Sequence, residues 1–136
     1  MTPSTPRGTR VSHIGIAVEA LSESLPFFRD VLGLTEVPLD DSDGASIVGL
    51  SAGEPLVELL QGDDSSSPIG RFIANRGPGI HHICFSVDDL DATLDRCREA
   101  GIQLIDEKPR IGAEGKRIAF LHPKSTGGVL VELSDH

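Results

Sequence analysis

The chain contains one pattern twice. His13-Ile-Gly-Ile-Ala-Val aligns with His82-Ile-Cys-Phe-Ser-Val at an offset of 69, and at the same offset Leu21, Leu25 and Arg29 fall on Leu90, Leu94 and Arg98. Leu56-Val-Glu-Leu then recurs as Leu130-Val-Glu-Leu at an offset of 74, so a loop is longer in the second copy. Such units are too long for solenoid repeats and too short for full-sized domains. In a chain of 136 residues they are two halves of one fold, and a chain of this size buries about 68% of its unfolded surface.

Each half has the same order of patterns. Residues 11–18 and 80–87 alternate in character and are rich in Val, Ile and Phe, which indicates strands. Leu21, Leu25, Phe28 and Leu32, and again Leu90, Leu94 and Cys97, recur at helical spacing over 21–32 and 89–100. Asp88 or Asp89 can cap the second helix, and Gly33 and Gly101 can end the two. Pro26 is tolerated only in a first turn, so the first helix is expected to start near Ser22 or Ser24. Three short strands follow in each half: 34–38, 45–50 and 56–61, then 102–106, 116–121 and 129–134. The expected fold is α+β, with two tandem βαβββ modules at 11–61 and 79–136 curving one sheet around a shared cleft. A loose arm, 1–10, precedes them, and a linker at 62–78 carries a short helix over 69–76.

Strand alternation sorts the side chains into faces. His13, Gly15 and Ala17 share one face of the first strand, opposite Ile14, Ile16 and Val18. His82, Cys84 and Ser86 are their counterparts, opposite Ile83, Phe85 and Val87. In the last strands Glu58 and Glu132 point away from the apolar pairs Val57/Leu59 and Val131/Leu133. Two His and two Glu at repeat-equivalent places make a ligand set for one divalent ion: His13, Glu58, His82 and Glu132. Imidazole suits Zn, Co, Ni and Fe, and carboxylate with water leans toward Mn or Mg. The competing reading is structural, with backbone-satisfied histidines and solvated glutamates. The pairwise recurrence favours the metal, because a solvated glutamate has no reason to recur with its histidine.

The remaining chemistry-bearing residues are weaker. His81 is expected to face away from the metal, because its neighbour His82 faces it. His122 sits at a strand end, and His136 is terminal and expected to fray. Cys84 and Cys97, with no CxxC, read as packed thiols of a reduced, cytoplasmic protein. Lys108, Arg110, Lys116, Arg117 and Lys124 cluster in the second half, either as a solvated face or as a site for an anionic ligand tail. No GxGxxG or GxxxxGK[ST] motif is present. Lys and Arg total 12 against 21 Asp and Glu, a formal charge of −9, which disfavours nucleic acid and anionic membrane as partners. Aromatic residues are 4% and all Phe, too few to stack single strands. No apolar run approaches the 18 or so residues that span a bilayer.

These residues resemble a known family. The repeated βαβββ unit with His and Glu looks like the vicinal oxygen chelate superfamily, and residues 11–134 most resemble its methylmalonyl-CoA epimerases. The resemblance is carried by Gly79-Ile-His-His-Ile-Cys, Ile111-Gly-Ala-Glu-Gly-Lys, Phe120-Leu-His-Pro-Lys-Ser, Gly127-Gly-Val-Leu-Val-Glu-Leu and Ser67-Pro-Ile-Gly-Arg-Phe. It implies that His13, His82 and Glu132 hold a divalent metal (cobalt or manganese first, then zinc, nickel or magnesium), with Glu58 at the fourth position. It also implies Glu132 as a catalytic group, an acyl-CoA substrate and a homodimer. Lys116, Arg117 and Lys124 would then meet the CoA phosphates. Some members of the family carry a proton-transferring glutamate in the strand equivalent to 45–50. Ala45-Ser-Ile-Val-Gly-Leu has no carboxylate, so the second acid/base is unassigned. A glyoxalase-type isomerase would use the same ligands, and a metal-free ligand-binding protein of this fold would need none of them.

Overall fold

The computed structural model describes residues 8–136, so most of the expected N-terminal arm lies outside the described residues. One mixed sheet of eight strands organises the chain in the order β2-β3-β4-β1-β5-β8-β7-β6. The strands are β1 (Arg10–Ala17), β2 (Thr35–Val37), β3 (Ala45–Ser51), β4 (Leu56–Gly62), β5 (Gly79–Val87), β6 (Arg110–Ile111), β7 (Arg117–Leu121) and β8 (Val131–Asp135). Within each half the connectivity is identical: β1 lies parallel to β4, as β5 does to β8, and the hairpins β3/β4 and β7/β8 are antiparallel. The halves meet where β1 and β5 run antiparallel in the middle of the sheet.

Helices cover the convex face. Helix α3 (Leu90–Glu99) starts where the Asp89 carboxylate accepts from Ala92 N at 2.9 Å, and it buries Leu90 and Leu94 against Val87, Ala119, Leu121 and Leu133. Each of those leucines stabilises by about 1.5–3 kcal/mol through burial. Helix α1 (Leu21–Leu25) does the same in the first half, packing Leu21 and Leu25 near Val18, Leu50 and Leu59. It starts at Leu21, so Pro26 is not in its first turn, contrary to the sequence expectation. The proline ring has no N–H to donate and crowds the preceding turn. The chain therefore continues through Pro26–Val31 with π-helical spacing, Leu32 N donating to Phe27 O at 2.9 Å.

Helix α2 (Pro68–Arg76) is the linker helix. Ser67 caps it by accepting from Gly70 N at 3.1 Å, and Pro68 occupies its first position. It closes one end of the concave side, where Ile69 packs with Ala17, Ala45 and Leu60.

One expected strand is absent. Over 102–106 only Leu104 forms a bridge, to Leu121, and the edge strand appears later as β6. The Asp106 carboxylate accepts from Phe120 N at 2.8 Å, taking a donor that a ladder partner would need. Pro109 then leaves a gap in any donor row before Arg110. His136 is not frayed either: its Nε2 lies 2.7 Å from Asp88 Oδ1.

Candidate metal centre

The concave side of the sheet encloses a cavity of about 310 Å³. His13, Glu58, His82 and Glu132 all line it and are between 3% and 5% exposed. Gly15 lies opposite His82 in the β1/β5 ladder, and a Cβ on Gly15 would overlap the His82 imidazole. The space that the missing Gly15 side chain leaves on this face is filled by the His82 ring.

Three of the four expected ligands converge. His13 Nε2 lies 3.0 Å from His82 Nε2 and 3.0 Å from Glu132 Oε1, and His82 Nε2 lies 3.1 Å from the same oxygen. Ligands bound at about 2.1 Å stand about 3.0 Å apart when adjacent on an octahedron and about 3.4 Å apart on a tetrahedron. The observed triangle is compact enough for one ion to meet all three atoms. Two imidazoles and a carboxylate are also the donor types a first-row divalent ion takes. Glu58 is placed differently, with Oε2 3.2 Å from His13 Nδ1, on the other nitrogen of that ring. This oxygen is buried and has no hydrogen-bond partner.

The charge balance is tight. Burial opposes ionisation of Glu132, but hydrogen bonds and charge from His13 and His82 bring its carboxyl down to about 2. Burial dominates at Glu58, and the neighbouring Glu114 and Glu132 carboxylates add to it, raising its carboxyl to about 8. Desolvation would lower His13, yet Cys84, Glu114, Glu132 and Glu58 together raise it to about 12. A proton on Nε2 and a divalent ion compete for one lone pair.

Strict alternation misplaced His81. From Gly15 to Ile16 the β1 register advances one residue while β5 advances from His82 to Ile80, so His81 is the extra residue of a β-bulge. Ser12, its repeat counterpart, is bulged in the same way, between the pairs Val11/Phe85 and His13/Cys84. A bulge re-aims the side chain that it carries. His81 therefore stays beside the site, its Nδ1 3.0 Å from His82 Nδ1 and its ring edge-on to Phe72. Burial and the neighbouring His82 lower its pKa to about 4, so it is neutral.

Glu114 was not singled out in the sequence. It extends from the β6–β7 hairpin, and its Oε2 lies 2.7 Å from His13 Nδ1. Only its place in the quoted Ile111-Gly-Ala-Glu-Gly-Lys segment marked it, because no periodicity reaches a loop. Cys84 is fully buried beside the ligands, and burial raises its thiol pKa.

The basic cluster does not form one patch. Arg110 and Lys116 line the cavity, Arg110 held by Asp43 at 3.2 Å and by Asp106 at 3.2 Å. Arg117 turns to the helical side, where it pairs with Asp91 of α3 at 2.8 Å. Lys124 sits in the turn Pro123–Ser125, which His122 caps by accepting from Lys124 N at 3.1 Å.

This fold and donor set have known parallels. The superfamily described as Glyoxalase/Bleomycin resistance protein/Dioxygenase matches residues 12–120. Mitochondrial methylmalonyl-CoA epimerase of Mus musculus is 40% identical, with 91% of this chain and 71% of the mouse protein covered. The ethylmalonyl-CoA/methylmalonyl-CoA epimerase of Cereibacter sphaeroides is also 40% identical, with 91% of this chain and 96% of that protein covered. The crystal structure of methylmalonyl-CoA epimerase from Mycobacterium tuberculosis superposes with a TM-score of 0.87 at 35% identity, covering 99% of this chain and 91% of that one. With these likenesses running along nearly its whole length, the chain belongs to the glyoxalase/bleomycin resistance protein/dioxygenase superfamily, on its methylmalonyl-CoA epimerase branch.

Proposed function

We propose that the chain is a metal-dependent epimerase that inverts C2 of methylmalonyl-CoA through an enolate. The observation that carries this reading is the 3.0–3.1 Å triangle of His13, His82 and Glu132 at the floor of a cavity. A divalent ion held there supplies a Lewis acid where charge develops on the thioester oxygen. Cobalt or manganese is the first expectation, ahead of zinc, nickel or magnesium. Glu58, from β4, lines the same cavity and stays at the fourth position in this reading, with its Oε2 resting against Nδ1 of His13 when no ion is bound.

The protein groups do the rest. Glu132 Oε1 is the oxygen that faces both imidazoles, which leaves Oε2 as the atom that carries a proton to and from C2. β3 offers Ala45 and Ile47 to the cavity, not a carboxylate. The group that serves the opposite face of a planar intermediate is therefore not on β3. Lys116 at the rim is the residue placed to meet a CoA phosphate. A homodimer and a cytoplasmic location complete the reading. The unpaired Cys84 and Cys97 fit a reduced compartment, and no helix among the described residues is long and apolar enough to cross a membrane.

The test is incubation of the cobalt-loaded protein with methylmalonyl-CoA in D₂O. Both exchange of the C2 hydrogen and interconversion of the epimers are expected. Glu132→Gln should lower the rate by about 10²–10⁴-fold. Conversion of a glutathione hemithioacetal with no effect on methylmalonyl-CoA would make the chain a glyoxalase-type isomerase. Neither reaction, with or without metal, would make it a binding protein.

A further inference from the structure

His13 uses its two ring nitrogens differently. Nε2 faces His82 and Glu132, whereas Nδ1 faces three possible acceptors: Glu114 Oε2 at 2.7 Å, Glu58 Oε2 at 3.2 Å and Ser12 Oγ at 3.4 Å. Nδ1 has a single proton to give, so only one acceptor is fully served. Glu114 is the shortest, which explains why the buried Oε2 of Glu58 has no hydrogen-bond partner.

Glu114 is delivered from the other half of the molecule. The hairpin tip is closed by Gly112 N donating to Lys116 O at 2.9 Å and Gly115 N donating to Gly112 O at 3.0 Å. Asp40 N, in the first half, donates to Ala113 O at 3.3 Å and pins the tip across the cleft. The Glu114 side chain is only 18% exposed where it meets His13.

An imidazole that donates Nδ1–H to a fixed carboxylate is held in one tautomer and one ring plane, with the lone pair on Nε2. We propose that Glu114 is the positioning residue of the metal centre, crossing from the second half to lock His13 as its Nδ1–H form with Nε2 aimed beside His82 and Glu132. The proposal rests on the metal reading above. The other ligand histidine is held by a different partner: His82 Nδ1 meets His81 Nδ1, the bulged residue next to it.

The experiment pairs a ligand titration with a view of the ring itself. Co²⁺ affinity is measured by equilibrium dialysis for wild type, Glu114→Ala and Glu114→Gln, and long-range ¹H–¹⁵N NMR reads the His13 ring in the Zn²⁺-loaded proteins. Circular dichroism confirms that each variant is folded. Wild type should show a protonated, hydrogen-bonded Nδ1. Glu114→Ala should lose that signal and bind Co²⁺ about 10–100-fold more weakly. Glu114→Gln, whose amide oxygen still accepts from Nδ1, should recover most of the affinity and the signal. Wild-type affinity with an unchanged His13 pattern in Glu114→Ala would overturn the proposal. So would a Gln variant no better than Ala, because the effect would then be charge alone. If wild type binds neither ion, the metal reading fails. The Nδ1–H signal of the metal-free protein then decides the Glu114 contact by itself: its loss in Glu114→Ala supports the lock and its persistence overturns it.

Discussion

Gly15 is the residue that the centre can least exchange. Its missing side chain is where the His82 ring lies, and any Cβ there overlaps three ring atoms. Gly15→Ala should push His82 off the triangle and lower Co²⁺ affinity at least tenfold in a protein that still folds, read by dialysis and circular dichroism. Wild-type affinity would mean that the strand yields and the ring does not. The buried acids and His13 also give the metal-free protein a definite pH response. His13 is raised from 6.5 to about 12, so its contribution is complete below 6.5 and is lost as pH rises. Glu58 is raised from 4.5 to about 8, so the folded state keeps a proton that the unfolded chain has released, and stability falls over that interval. Both groups act in the same direction between pH 6.5 and 8. Glu132 has the opposite sign, but its window lies between about 2 and 4.5. Urea unfolding of the metal-free protein should therefore show lower stability at pH 9 than at pH 6. A rise would contradict the burial of Glu58 and the acidic surroundings of His13.

At the scale of elements, the helices hold the sheet and the bulges place the donors. Leu94 of α3 is 1% exposed in the second-half core. Leu94→Ala should cost about 2–5 kcal/mol in denaturant unfolding, with Co²⁺ affinity unchanged because α3 packs on the convex face. A matching loss of affinity would show that the sheet's curvature, not its concave side chains alone, sets the site. The paired bulges were beyond the reach of alternation. The period of two correctly assigned His13, His82, Glu58 and Glu132 to the concave face. It failed at His81 because a bulge inserts one residue and resets the count for its neighbour. Pro26 shows the same limit from the helical side. The leucine spacing identified the helix, but the π-helical turn depends on how the proline ring is accommodated.

For the whole molecule, the centre is a junction. His13 and Glu58 come from the first half, and His82, Glu132 and Glu114 from the second; β1 meets β5 between them, and Asp40 N donates to Ala113 O across the cleft. An ion bound by both halves stabilises the folded state by mass action, about 2.7 kcal/mol at a free concentration of 100 times Kd. Added Co²⁺ should accordingly raise the melting temperature of wild type and leave that of His82→Ala nearly unmoved. An equal rise in both would place the ion elsewhere. The repeat, the βαβββ order and the four concave His and Glu residues were legible from the chain alone, because burial periodicity and internal recurrence are written locally. Three things were decided only in three dimensions. Arg117 pairs with Asp91 on the helical side instead of joining Lys116 at the cavity. Glu58 faces Nδ1 of His13, away from the triangle. Glu114 reaches a histidine 101 positions earlier in the chain. Each of these depends on which elements the curved sheet brings side by side, and that proximity has no period in the sequence.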